Sequence, residues 1–307
     1  MRIVFFGTPS FAVASLQALV NGGFSVAAAV TQPDKPQGRS RSTLVPPPIK
    51  LAAQLLDRPV LQPIRPTGDL FAASFRRLEP DLGIVVAYGH ILRPEILSVP
   101  PRGMINVHAS LLPRYRGAAP IQHAILDGEK ETGISIMQME AGLDSGPVIH
   151  RVSTLIDPEE TAGALAMRLA DLGASALVEA LSLLSGGLAR PQPQDHTRAT
   201  YAPKVDRDMA RLDWQRDAGT LARQVRAFDP APGAWAPLNG SGVKLFGADE
   251  VAGTGDPGTV LSLGSRLIVA AGQGALAVRE VQAAGKSRMP VEAWARGRGI
   301  APGRKFQ

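Results

Sequence analysis

Residues 81–88 read DLGIVVAY. From Leu82 to Ala87 the run is apolar without alternation, the pattern of a strand covered on both faces rather than one with a wet side. Strands of that kind belong to parallel sheets, whose crossover helices shield both surfaces. The flanking sequence fits. Residues 3–6 form a short apolar strand, Gly7-Thr8-Pro9 a turn, and residues 11–20 a helical pattern that stops at Asn21-Gly22-Gly23. Residues 26–30 and 59–62 supply further strands, and residues 69–78 a helix whose apolar stripe is read as Leu70, Phe71, Phe75 and Leu78. Strand, turn and helix in this repetition predict an α/β domain with a Rossmann-like, mostly parallel sheet. A dinucleotide site is not expected: the first turn lacks G-x-G-x-x-G, and the second strand ends in Thr31-Gln32-Pro33 with no acid placed for a ribose.

Downstream, residues 103–120 read GMINVHASLLPRYRGAAP. Ile105-Asn106-Val107-His108 alternates, so a strand here puts Asn106 and His108 on one face. From Ala109 the period is lost, and Pro113, Gly117 and Pro120 make a loop leaving a strand end, where ligands bind in open α/β sheets. Residues 134–139 then form an apolar strand running into a Gly-rich turn that carries Asp144. A carboxylate there could reach His108, orient the imidazole and stabilise its protonated form. A lone His at a strand end, or an Asp between glycines, is commonly structural. The set is what points to chemistry: amide and imidazole two apart, a loop opening beside them, and an acid on another turn.

Residues 31–50, TQPDKPQGRSRSTLVPPPIK, read as a long aperiodic loop with four cations, Lys35, Arg39, Arg41 and Lys50. Asp157-Pro158-Glu159-Glu160 reads as a helix start, with the helix continuing to Leu184 and stopping at Gly186-Gly187. Residues 190–195, RPQPQD, read as a linker. Beyond them come a helix over residues 217–228 and short strands over 242–246, 258–263, 267–271 and 275–281, a pattern that suggests a small OB-like β-barrel. The expected division is therefore a domain over residues 1–189, a linker over 190–207 and a smaller β-barrel domain over 208–307.

Hydrophobic residues make up 45% and charged residues 20% of the 307, within the range of globular proteins. The absence of cysteine excludes disulfides, thiolate metal sites and a Cys nucleophile. No apolar stretch reaches the ~20 residues of a membrane span, and Gly7-Thr8-Pro9-Ser10 interrupts the N-terminal run before it could serve as a signal segment. A cytoplasmic protein is expected. The net charge of +6 is unevenly placed: residues 1–189 hold 16 cations and 16 carboxylates, residues 190–307 hold 17 and 11. A basic C-terminal third suits a polyanion such as nucleic acid, or is simply a solvated surface.

The residues Asn106-Val107-His108, Ser110-Leu111-Leu112-Pro113, RYRGAAP and ETGISIMQMEAGLDSG resemble the folate-dependent formyltransferases, and the resemblance extends along the whole chain. Ala109 departs from it, standing where glycine is expected. The resemblance implies 10-formyltetrahydrofolate as co-substrate, no metal, and methionyl initiator tRNA as acceptor, with the chain acting as a monomer. It implies Asn106, His108 and Asp144 as catalytic residues. It places the backbone of Gly89, His90, Ile91 and Leu92 along the pterin end of a folate pocket, Ser110, Leu111, Leu112 and Pro113 along the folate's central ring and tail, and Glu140 and Gly142 on the pterin side. Arg39, Arg41 and Lys50 are implied in tRNA binding, Arg39 and Arg41 as forked donors to phosphate. Two alternatives remain open at this point: a formyltransferase or hydrolase acting on a smaller amine or on water, and a non-catalytic RNA-binding protein.

Overall fold

The computed structural model describes residues 1–37, 43–297 and 300–307. The chain divides into two compact units: residues Met1–Gly117, Glu131–Thr154 and Ala166–Ala202 form the first, and Ala118–Lys130, Leu155–Leu165 and Pro203–Gln307 the second. No helix among the described residues is long and apolar enough to cross a membrane.

The first unit carries strands β1 (Arg2–Gly7), β2 (Ser25–Val30), β3 (Lys35–Gln37), β4 (Thr43–Val45), β5 (Val60–Leu61), β6 (Leu82–Val86), β7 (Met104–His108), β8 (Arg116–Gly117), β9 (Glu131–Gln138), β10 (Val148–Leu155) and β11 (Tyr201–Ala202). Seven of them make one sheet in the order β10-β9-β7-β6-β1-β2-β5. From β5 to β7 the neighbours are parallel, and β9 runs antiparallel to β7. All five residues of β6 are buried, as its unbroken apolar run predicts. The strand order reverses direction at β1 and β6, so the C-terminal ends of β6 and β7 open beside a switch point of the kind that holds ligands in this architecture.

An aromatic cluster packs one face of this sheet. Phe6 meets Phe75 edge-on at 5.3 Å and Tyr88 at 5.4 Å, with Phe71 at 6.4 Å. Phe71 and Phe75 come from the helix Gly68–Arg76, whose buried residues are Phe71, Ala72 and Phe75. Leu70, expected in that stripe, is 89% exposed; the helix turns its 71–72–75 edge to the sheet and leaves residue 70 beyond it. A second correction concerns residues 31–50. Among the described residues of this stretch, β3 and β4 pair antiparallel and a helix begins at Pro48, so those residues are not aperiodic. Pro36 within β3 hides the alternation that would have marked a strand.

The second unit contains β12 (Trp235–Leu238), β13 (Ser241–Val251), β14 (Val260–Leu263), β15 (Leu267–Ala270), β16 (Ala275–Ala283) and β17 (Met289–Pro290). They form a six-stranded antiparallel sheet in the order β12-β13-β16-β15-β14, with β17 on β16. The helix Ala218–Ala227 starts at Asp217, whose carboxylate accepts the Thr220 backbone N–H at 2.8 Å. The short helix Pro120–Leu126 packs against it. Within Leu155–Leu165 the expected helix start at Asp157 is corrected as well. Asp157 accepts from the Glu159 N–H in a local turn, and the long helix Ala162–Ser185 begins five residues later, where Thr161 Oγ1 accepts the Ala164 N–H at 3.2 Å.

Candidate functional site

The central motif is built as its alternation requires. Asn106 and His108 share a face of β7; His108 is buried and Asn106 half-buried. The Asn106 carboxamide makes no hydrogen bond among the described residues. His108 Nδ1 lies 3.6 Å from Asp144 Oδ2, with side-chain exposures of 6% and 15%. That separation exceeds a hydrogen bond and is close enough for strong attraction between an imidazolium and a carboxylate. His108 Nε2 is 2.9 Å from the Tyr115 carbonyl, which can only accept, so Nε2 carries a proton. A ring also protonated at Nδ1 satisfies both neighbours, whereas a neutral ring turns a lone pair toward Asp144.

The backbone around this pair is unusual. Asp144 and Tyr115 adopt positive φ, 46° and 58°, a conformation rare for residues with a side chain. Asp144 Oδ2 also accepts the Gly117 N–H at 2.8 Å. Gly117 itself has φ 119°, and a Cβ there would stand 2.6 Å from the Ala202 carbonyl, so only glycine lets β8 lie against β11. Ser135, a polar residue inside the apolar β9, explains the loop after β7: its hydroxyl donates to the Ser110 carbonyl at 2.7 Å and accepts from the Leu112 N–H at 3.1 Å.

The remaining expected site residues fall into three groups. Gly89, His90 and Ile91 leave the end of β6 beside β7, with Ile91 85% exposed and the His90 ring 5.4 Å from Tyr88. Gln32 and Thr8 fix this turn by donating to the Tyr88 carbonyl at 3.0 and 2.8 Å. Burial pushes the Tyr88 phenol above its ordinary pKa, and its hydroxyl has no partner among the described residues. Leu92 turns inward, into the aromatic cluster. In the second group, the Ser110 hydroxyl is spent on the Arg114 carbonyl and Leu112 packs with Met137 and Val148, so this loop offers a ligand mainly its backbone, Leu111 and Pro113. Glu140 and Gly142 are exposed on the turn that carries Asp144.

The third group comprises the basic residues. Arg39 and Arg41 lie outside the described residues. Lys50 is described, and its ammonium is held by both Asp34 oxygens at 2.9 and 2.7 Å. Hydrogen bonds from Gln62 and then Lys50 hold the Asp34 carboxyl below the usual carboxylate range.

Four holding groups escaped the sequence reading: the Tyr115 carbonyl, the Gly117 amide, Ser135 and the strand β11. Ser135 alone had a visible signal, as a hydroxyl at a buried position of ISIM.

The arrangement offers an unpartnered amide donor and a buried imidazole facing a carboxylate at a strand end, groups suited to stabilising a developing oxyanion and moving protons beside it. Comparison with known proteins identifies the family. The family described as formyl transferase matches residues 1–181, and that described as formyl transferase, C-terminal domain, matches residues 204–299. A methionyl-tRNA formyltransferase of Pelobacter propionicus is 47% identical over 302 residues, covering 98% of this chain and 94% of that one. The protein of the same name from Stutzerimonas stutzeri is 48% identical over 286 residues, covering 93% and 91%. In fold, the chain resembles HypX from Aquifex aeolicus, solved in complex with tetrahydrofolic acid, with a TM-score of 0.70 at 21% identity, covering 98% of this chain and 48% of that one. With both models matched and near-full-length relatives at almost half identity, the chain belongs to the formyl transferase family.

Proposed function

We propose that this protein transfers the formyl group of 10-formyltetrahydrofolate to the α-amino group of methionyl initiator tRNA. The observation that carries this reading is the buried His108–Asp144 pair beside Asn106 at the end of β7. The near-full-length likeness to methionyl-tRNA formyltransferases supports the acceptor.

Formyl transfer needs attack by a neutral amine on the formyl carbon, a tetrahedral intermediate bearing an oxyanion, and loss of the folate nitrogen as leaving group. An α-amino group with a pKa near ~8 is already partly neutral at working pH, so the oxyanion is the harder problem. Asn106 meets it with a carboxamide NH₂ for which no group among the described residues competes. His108 meets it with Nε2–H, which the Tyr115 carbonyl holds at 2.9 Å. A charged oxygen is a stronger acceptor than a neutral carbonyl, so the forming oxyanion draws this donor away from Tyr115. Asp144 stabilises the imidazolium and relays a proton, through water, from the incoming nitrogen to the folate nitrogen, which leaves as a neutral amine. The folate is received by the loop 89–92, the backbone of residues 110–113 and the turn 140–142. Ile91 and Leu143, 85% and 57% exposed, give it apolar cover.

In this reading the catalytic domain spans residues 1–189, residues 190–207 link it to the rest, and residues 208–307 form an OB-like, basic module that contacts tRNA backbone. Arg39 and Arg41 add phosphate contacts, and the protein works as a cytoplasmic monomer. The test is formyl transfer from 10-formyltetrahydrofolate to charged initiator tRNA, with uncharged tRNA and an amino sugar nucleotide as parallel acceptors. Formylated product only on the charged tRNA is the expected result. Replacing Arg39 and Arg41 together by Ala should flatten the salt dependence of tRNA binding. Product on the sugar nucleotide instead, or an unchanged salt slope, sinks the respective assignment.

A further inference from the structure

We infer that Gln194 is a positioning residue for the reaction, the central fastening of a strap, residues 192–202, that holds Asp144 and Tyr115 in the backbone conformations the His108 pair requires. The inference rests on the catalytic reading of His108 and Asp144 given above.

The segment enters the first unit as a bridge to β10, with Gln192 and Val148 exchanging both backbone hydrogen bonds at 2.8 Å. Two residues on, the Gln194 side chain is 6% exposed and fully used. Its Nε2 donates to the Asp144 carbonyl at 2.9 Å and to the Gly146 carbonyl at 2.7 Å. Its Oε1 accepts from Arg116 Nε at 3.2 Å and Nη2 at 2.7 Å. Arg116, 3% exposed, also reaches His196 Nδ1 with Nη2 at 3.1 Å. At the far end of the strap, Thr200 Oγ1 accepts the Tyr115 N–H at 2.8 Å and the Thr200 carbonyl accepts the Arg116 N–H at 2.9 Å, after which β11 pairs with β8.

These bonds land on the backbone that sets the catalytic pair. Asp144 at φ 46° presents its carboxylate to His108 Nδ1, and Tyr115 at φ 58° presents its carbonyl to His108 Nε2. Both conformations are sparsely populated unless surrounding structure holds them. Gln194 grips the Asp144 peptide and Thr200 the Tyr115 peptide, while Arg116 ties the two grips together, its guanidinium on Gln194 and its backbone N–H on the Thr200 carbonyl. A shift of about 1 Å in such a pair costs on the order of a hundredfold in rate. The strap therefore acts on turnover through residues it never replaces in the chemistry. A carboxamide suits position 194 because it donates twice and accepts twice; a carboxylate keeps the bond to Arg116 and loses both donations.

The test compares Gln194→Ala and Gln194→Glu, each alone and in an Asp144→Ala background, reading kcat, KM for tRNA and Tm. Both single variants should lower kcat by about tenfold to a hundredfold with KM for tRNA unchanged. Gln194→Glu loses the two donations but retains a charged contact to Arg116, so its Tm should fall less than that of the Ala variant, and a folding defect in the Ala variant does not decide the matter. With Asp144 already replaced, either change should cost less than about twofold further, because residues acting as one unit are not additive. Restoration of kcat by Glu overturns the inference and reduces Gln194 to packing for Arg116. An equal loss in both backgrounds overturns it too. If Asp144→Ala alone keeps normal turnover, the catalytic reading has failed first, a result distinguishable from a loss confined to Asp144 variants.

Discussion

Replacing Asp144 by Asn removes one charge while keeping shape, the tolerance of positive φ, and an oxygen that can still accept the Gly117 N–H at 2.8 Å. What disappears is the attraction between the carboxylate and a protonated His108. At the observed 3.6 Å, and with an effective dielectric constant of about 20 for a largely buried pair, Coulomb's law gives roughly 4–5 kcal/mol. Part of this is lost to the residual solvation of a side chain 15% exposed, leaving about 3–4 kcal/mol. Because the forming oxyanion faces a charged imidazole only while Asp144 holds that charge, the loss appears as a fall in kcat of about a hundredfold to a thousandfold. The assay is single-turnover formylation of charged initiator tRNA at saturating folate, with tRNA affinity and Tm measured in parallel. Affinity and Tm should stay near wild type. Asp144→Ala should fall further in Tm, because it leaves the Gly117 N–H without its acceptor and puts Ala at φ 46°. An Asn variant keeping a third or more of wild-type kcat would show that the oxyanion does not rely on a charged imidazole held by this carboxylate, and the proposed mechanism would fall.

Other variants test separate parts of the structure. Asn106→Ala should reduce kcat about a hundredfold with tRNA binding unchanged, since it deletes one oxyanion donor and no structural hydrogen bond; a Tm drop without a kcat effect would assign Asn106 to folding instead. Arg288→Ala should destabilise the protein by about 2 kcal/mol in denaturant titration, because it leaves the buried Asp229 carboxylate, now 2.8 Å from Arg288, without its partner and uncovers Phe246. An unchanged midpoint would mean that water replaces the pair at no cost. Asp217→Ala should remove the N-cap of the helix Ala218–Ala227 and cost about 1 kcal/mol at neutral pH. The side-chain and backbone hydrogen bonds from Thr220 hold the Asp217 carboxyl below its ordinary pKa. Its contribution is therefore present above the unfolded value, about 3.9, and fades as pH falls through the lower folded value. A difference between variant and wild type that grows on acidification would contradict that sign.

What the sequence disclosed depended on whether the deciding interaction was local. DLGIVVAY revealed a doubly covered strand because burial on both faces removes every polar residue from the pattern. Asn106 and His108 could be placed on one face because a strand's period is two, and that period survives any tertiary context. Leu70 failed because a helix nine residues long has an apolar arc wide enough for two phases, and only packing on Phe6 chooses between them. Asp157 reads as a cap because acid, proline and two further acids are the local signals of a helix start; where the helix begins is decided by where the chain turns, which those residues do not encode. Residues 190–195 read as linker because prolines and glutamines suit extended chain, but an extended chain is also what a strap is made of. Gln194 and Arg116 are 78 residues apart, and no periodicity announces such a bond.

The composition of the second unit bears on how the chain is made. The helix Pro120–Leu126 buries Pro120, Ile121, Ala124 and Ile125, and the helix it packs against, Ala218–Ala227, begins roughly 90 residues later. At about 5–20 residues per second on the ribosome, that apolar face waits on the order of ten seconds for its partner to be synthesised. During that interval the nascent protein presents a sticky surface from a segment whose sequence neighbours on both sides, residues up to Gly117 and from Glu131, fold into the other unit. A transcript truncated anywhere before residue 218 would leave that surface bare permanently, a better target for chaperones and proteases than for any substrate.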